Sequence, residues 1–174
     1  MTGWTRAALL QDLSPILALE RSTPELPHWT DAEYGRYLDP AAEDRLLCVA
    51  GEAGGGSIAG FAAARLTPAS TDLPKVGRIA ELESLAVLPA ARRSGLGSLL
   101  CSSILDWARA RNAEALELEV RSKSTGAIAL YESLGLNIVG RRSQYYAKPN
   151  DDALLMTLAL PRAEPIYNCG NHGS

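Results

Sequence analysis

Along this chain the spacing of apolar residues switches between helical and alternating, and the switches mark out its elements. Over residues 6–21, Leu9, Leu13, Ile16, Leu17 and Leu19 fall largely at helical spacing, and Ser14-Pro15 suits a helix start, so a first helix is predicted from near Pro15. The stretch Thr23-Pro24-Glu25-Leu26-Pro27 cannot continue it, because each proline lacks an amide and restricts the residue before it. Thr30-Asp31-Ala32-Glu33 then reads as a helix cap with an acid three residues on, opening a second helix to about Leu38. Residues 46–50 and 58–65 read as two strands, and the glycine cluster between them, which precedes no helix, as a hairpin turn and not a nucleotide loop. Residues 67–75 form a connector with Pro68 and Pro74, and 77–88 a further strand. A helix over 98–111, a strand over 115–120 and a helix over 124–134 closed by Gly135 come next. Strands at 138–146 and 153–160 form an antiparallel pair, and the tail from Pro161 reads as frayed. Strands at both ends and helices crossing in the middle predict an α/β fold around a mixed sheet.

Composition narrows the class. With 174 residues and 47% hydrophobic content, the chain can bury one sizeable core and is too short for two ordinary domains, so residues 1–162 are expected to be a single domain and 163–174 a flexible tail. A formal net charge of -3 excludes the broad positive field of a nonspecific nucleic-acid binder, so no direct nucleic-acid partner is expected. Cys48, Cys101 and Cys169 show no CxxC spacing and suit a reducing compartment, not a disulfide framework or a zinc site. No apolar run approaches the roughly 20 residues of a membrane span, and no leader pattern opens the chain; a soluble, unprocessed cytoplasmic protein, monomer or homodimer, is expected. No histidine-carboxylate spacing suits a metal, and His28, in a loop, is expected to be a solvent residue.

The chemistry concentrates at Arg92-Arg93-Ser94-Gly95-Leu96-Gly97, between an apolar strand and a helix start. Glycines at 95 and 97 remove side chains where a ligand must come close, and the first amides of the following helix lack carbonyl partners, so the turn reads as a pyrophosphate seat. Further on stand Leu118-Glu119-Val120-Arg121, then Ala129-Leu130-Tyr131-Glu132-Ser133-Leu134-Gly135, and later Tyr145-Tyr146 with Asp152-Ala153-Leu154. Glu117 and Glu119 share one face of their strand and the leucines and valine the other, and a carboxylate on a central strand is costly unless paired or functional.

Together these motifs resemble the GNAT superfamily of N-acetyltransferases, densely from about residue 80 to 160, and within it the bacterial ribosomal-protein-alanine N-acetyltransferase (RimI-like) branch. Earlier the likeness is faint, although Pro27-His28-Trp29-Thr30 sits where that branch has its entry to the second helix. The resemblance implies a mixed, mostly antiparallel central sheet flanked by helices, with two splayed parallel strands holding acetyl-CoA as co-substrate. It implies that the main chain of Leu85, Ala86 and Val87 meets the pantetheine arm, while Arg92, Arg93, Ser94, Gly95, Leu96, Gly97 and Ser98 surround the diphosphate. It places Glu119 as general base, against the alternative of a salt bridge to Arg121 or Arg141, and Tyr131 as general acid. Glu81, which matches the base position of other superfamily members better than Glu83, is the reserve base. Ser124 stands where the family carries an asparagine that bonds the pantetheine, which leaves it as a weaker cofactor contact or a helix cap. Acceptor binding falls to the loop 23–29 with Trp29, to Glu81 and Glu83, and to Tyr145 and Tyr146. The implied activity is acetyl transfer to an amine, as a protein N-terminal α-amine such as that of a ribosomal protein. A small amine, or a non-catalytic CoA-binding module, are the alternatives.

Overall fold

The computed structural model describes residues 3–68 and 77–161; the connector beyond Pro68, Cys169 and the tail at 163–174 lie outside the described residues. The strands are β1 (Trp4–Ala7), β2 (Arg45–Gly51), β3 (Gly60–Pro68), β4 (Arg78–Val87), β5 (Ala113–Arg121), β6 (Asn137–Ala147) and β7 (Asn150–Ala159). The helices are α1 (Leu13–Arg21), α2 (Asp31–Leu38), α3 (Leu96–Ala110) and α4 (Thr125–Ser133). The strands form one seven-stranded sheet in the order β1-β2-β3-β4-β5-β7-β6. Neighbours are antiparallel except β4 and β5, which run parallel.

The sheet separates two cores. On one face, Leu96, Leu100, Cys101, Ile104 and Ala108 of α3 and Tyr131 of α4 pack with Ala62, Ala64, Leu82, Leu116 and Leu118. On the other, Ile16 and Leu19 of α1 and Tyr34 of α2 pack with Leu47, Val49, Phe61, Ala63 and Ala86. This division is the strand period of two expressed in three dimensions: alternate residues of β2 and β3 serve opposite cores. Among the described residues no helix is long and apolar enough to cross a membrane.

Several boundaries differ from the sequence expectation for local physical reasons. β1 has too few residues to show an alternation and was not foreseen. Helix α1 starts at Leu13, ahead of Pro15, with Ser14 and Pro15 inside its first turn; no side chain caps it. Just before it the buried Asp12 carboxylate accepts from Arg6 at 2.5 Å and from the Leu9 amide at 2.7 Å. Helix α3 begins at Leu96, two residues earlier than its apolar stripe suggests, because Gly95 already serves as its N-cap. Helix α2 begins as expected, with the Thr30 hydroxyl accepting from the Glu33 amide and the Glu33 carboxylate accepting from the Thr30 amide at 2.6 Å.

Two irregularities in β4 open a gap in the sheet. Ala64 pairs with Leu82 and Ala63 with Ser84, so Glu83 is an extra residue in the ladder, a β-bulge. The bulge reverses the strand's facing: Ala80 and Leu82 belong to the α3 core, whereas Ala86 belongs to the α1 and α2 core. The parallel ladder between β4 and β5 also stops, with Leu82 opposite Leu118 as its last pair. From there residues 84–87 pair only with β3, and residues 119–121 only with β7, so the two strands part and leave a gap.

Candidate active site

Glu83 and Glu119 are the first residues beyond the last β4–β5 pair, one on each side of the gap. Glu119 lies with its side chain 28% exposed and pairs with Arg142 of β6 at 3.1 Å. The same carboxylate accepts from the Tyr145 hydroxyl and so raises the pKa of that phenol. Arg142 in turn lies over the Tyr145 ring, 5.5 Å from its centroid. The salt-bridge partner of Glu119 is therefore neither Arg121 nor Arg141. Arg121 donates to the carbonyls of Lys148 and Pro149 and covers the Tyr146 ring at 4.0 Å, while Arg141 pairs with Asp152 at 2.5 Å.

Across the gap the acids of β4 divide differently from the sequence expectation. Glu81 lies inside the paired part of the strand, 39% exposed, against Arg65 at 2.9 Å. Glu83, at the bulge, is 19% exposed, meets the Arg65 Nε at 3.0 Å, and accepts from the Tyr37 hydroxyl of α2. Burial pushes the Glu83 carboxyl up to about 7. The opposing pull of Arg65 is weakened because that guanidinium is 40% exposed and shared with Glu81. The structure thus sets Glu83, not Glu81, beside Glu119 at the head of the gap.

One wall of the gap is main chain. The Leu88 amide donates to the Ala59 carbonyl at 2.8 Å, toward β3, so strand alternation turns the amides and carbonyls of Val87 and Leu85 toward the gap. The Val87 carbonyl accepts from the Arg92 Nε at 3.2 Å. Beyond it, the Ser94 hydroxyl bonds the Ala91 carbonyl at 2.6 Å and Gly95 takes φ +90°, a conformation that disfavours any side chain. The first intrahelical bond of α3 runs from the Leu99 amide to the Gly95 carbonyl at 3.0 Å, which leaves the amides of Leu96, Gly97 and Ser98 as the free first donors of the helix. Exposed Arg92 and Arg93 flank this turn. Its chemistry fits a diphosphate: amides, a helix N-terminus and two guanidinium groups. Gly97 also has a packing reason, since a Cβ there would stand 3.0 Å from Leu130 of α4 and crowd the helix packing.

Tyr131 is 7% exposed in the core under α3 and α4, and burial, with Cys101 and Tyr146 nearby, raises its phenol so that it keeps its proton at neutral pH. Ser124 occupies the N-cap of α4, but its side chain caps no amide. Tyr145, 49% exposed, meets Tyr146 edge-on with ring centroids 5.1 Å apart. Trp29 stacks on Tyr37 at 5.1 Å and leans on Tyr34 at 5.3 Å, and its amide donates to the buried Glu20 carboxylate at 2.8 Å. Sequence reading missed Arg65, Tyr37 and Arg142, because each acts from another strand or helix.

A model described as the acetyltransferase (GNAT) family matches residues 10–136, most of the chain. The chain belongs to the GNAT acetyltransferase family. It is 42% identical over 83 residues to the ribosomal protein bS18-alanine N-acetyltransferase of Salmonella typhimurium, a match covering 47% of this chain and 56% of that protein. It thus spans about half the length of the curated relatives of that kind. To the N-alpha-acetyltransferase RimI of Mycobacterium tuberculosis it is 32% identical over 126 residues, 67% of this chain and 72% of the other. The crystal structure of the ribosomal-protein-S18-alanine N-acetyltransferase from Escherichia coli superposes with a TM-score of 0.73 at 29% identity, covering 95% of this chain and 99% of that one. The splayed GNAT sheet that the resemblance implied is the sheet observed, and acetyl-CoA is the co-substrate of this family.

Proposed function

We propose that this GNAT chain is an acetyl-CoA-dependent N-acetyltransferase whose acceptor is the N-terminal α-amine of a protein, such as a ribosomal protein. The observation that carries the reading is the parting of β4 and β5 after Leu82 and Leu118, with a carboxylate on each side of the opening and a helix N-terminus beyond it. Main-chain groups of Leu85 and Val87 would hold the pantetheine arm like an added strand. The amides of Leu96, Gly97 and Ser98, with Arg92 and Arg93, would hold the diphosphate, and Ser124 would reach the arm from α4. Bound there, acetyl-CoA supplies the acetyl group as a thioester.

The chain's own residues then handle the protons. An acceptor amine arrives as an ammonium and must lose a proton before it can attack, which Glu119 accepts. Arg142 and Tyr145 occupy Glu119 before the amine does, so the ammonium replaces them as its partner. Tyr131, held protonated by burial, gives its proton to the departing sulfur. Glu83 presents a second carboxylate to the same ammonium from β4.

The protein acceptor is supported by the likeness over 83 residues to bS18-alanine N-acetyltransferases and by the open side of the site at Tyr145, Tyr146 and the β6–β7 hairpin. Residues 1–162 would act as one domain, and a ribosomal acceptor places the activity in the cytoplasm. Mass spectrometry after incubating the chain with acetyl-CoA and a panel of N-terminal peptides and small amines tests it. Addition of one acetyl group at the α-amine of peptides is expected. Acetylation confined to small amines would overturn the protein acceptor, and no product with any amine would overturn the activity.

A further inference from the structure

Tyr37 belongs to no motif, yet it is the contact through which α2 reaches the gap. Its hydroxyl donates to Glu83, its ring stacks with Trp29 at an interplanar angle of 18°, and the Arg45 guanidinium of β2 lies over the ring, 5.3 Å from its centroid. Trp29 is itself fixed, since its amide donates to the Glu20 carboxylate, which is 1% exposed and also accepts from Tyr34 at 2.9 Å. A connected set of contacts therefore runs from the buried Glu20 through Trp29 and Tyr37 to the bulged carboxylate.

The groups around Glu83 pull it in opposite directions. Arg65 of β3 draws it toward Glu81, along the strand and away from Glu119. Tyr37 of α2 holds it from the helix side. The β-bulge frees Glu83 from any ladder partner, so its side-chain direction is set by these two contacts and not by the strand. A neutral hydroxyl that donates to a carboxylate favours the ionised form, the only form that can bind an ammonium or take its proton.

We propose that Tyr37 is a positioning residue that holds the Glu83 carboxylate ionised and turned to the acceptor side of the gap, so that α2 and the loop before it govern engagement of the amine. The proposal rests on the acetyl-transfer reading for its purpose, and on contacts alone for its geometry. Without the hydroxyl, the ionised form of Glu83 loses a donor that Arg65, partly exposed and shared with Glu81, does not replace.

The test uses the full chain and the Tyr37→Phe variant, with ¹³C labelling of glutamate side chains and Glu83→Gln to assign the Glu83 signal. In the parent the Glu83 titration is expected near pH 7, and in Tyr37→Phe at higher pH. The acid limb of kcat/KM should move upward with it while the affinity for acetyl-CoA stays unchanged. Arg65→Gln serves as a second probe. It removes a cation that also favours the ionised form, so the Glu83 titration should rise there too, but with Tyr37 still holding the side chain the amine KM should rise less than in Tyr37→Phe. An unmoved Glu83 titration in Tyr37→Phe overturns the hold. A moved titration with an unmoved acid limb and KM overturns the role in amine engagement while leaving acetyl transfer intact. A moved titration in a chain that acetylates no amine supports the contact and overturns the acetyl-transfer reading instead.

Discussion

Two neighbouring motifs place Glu119 and Tyr131 on opposite faces of the sheet, and each supports a test that separates chemistry from binding. Glu119→Gln keeps the shape and an acceptor for Arg142 but cannot take a proton, so turnover should fall by roughly 10²-fold or more, the usual scale of a lost general base. The acetyl-CoA-induced rise in unfolding temperature should persist, since Glu119 lies on β5 and not in the turn before α3. If Glu83→Gln gives the large loss and Glu119→Gln does not, the base is on β4. Tyr131→Phe keeps the buried ring and removes only the proton it could donate. Steady-state assays should show similar losses of kcat for a peptide and for any small amine accepted, because sulfur protonation is common to both. Full activity would mean that solvent protonates the sulfur. Both residues could be singled out from sequence because a strand and the helix after it each carry one of them in a short local motif. The pairing of Glu119 with Arg142 was not, because it reaches across β7, and sequence spacing says nothing about which cation of a basic strand a bulge will swing inward.

At the level of elements, the phosphate-like turn was readable as a strand, a glycine turn and a helix start, because those need only local rules. What escaped was everything set by a partner: β1, which exists by pairing with β2, and the bulge at Glu83, which exists only relative to β3. The turn offers a clean substitution at Ser98, exposed in the first turn of α3. An acid there suits the positive end of a helix and should leave the unliganded melting temperature unchanged or slightly raised. The same charge sits among the amides proposed to hold the diphosphate, so Ser98→Glu should abolish the thermal shift with acetyl-CoA. Gly95→Glu would add strain at a positive φ and Gly97→Glu would strike Leu130, which makes either a poorer test of charge. A Ser98→Glu chain that binds acetyl-CoA as well as the parent would remove the turn from the cofactor site.

For the whole molecule, the carboxylate at the bulge works against the fold that holds it. The Glu83 carboxyl titrates about 7 in the folded chain against an ordinary 4.5. Below about 4.5 both folded and unfolded chains hold this proton, and the group contributes nothing to pH dependence. Between 4.5 and 7 the folded chain keeps a proton the unfolded chain has lost, so stability falls as pH rises, and above 7 the penalty is complete. Its upper bound is roughly 3 kcal/mol, less to the extent that water reaches the partly exposed side chain. Asp12, held low by Arg6, and Asp151, held low by the Ser122 hydroxyl, have the opposite sign, but their stabilising effect is lost only as pH drops below the ordinary carboxylate range, so the windows do not overlap. Glu83→Gln keeps an acceptor for Tyr37 and removes the buried charge. Melting curves should therefore show the variant more stable than the parent at pH 8, with the difference shrinking toward pH 5, even as amine turnover declines. A variant less stable than the parent at pH 8 would show that the ion pair with Arg65 outweighs burial, and that Glu83 is an ordinary structural acid.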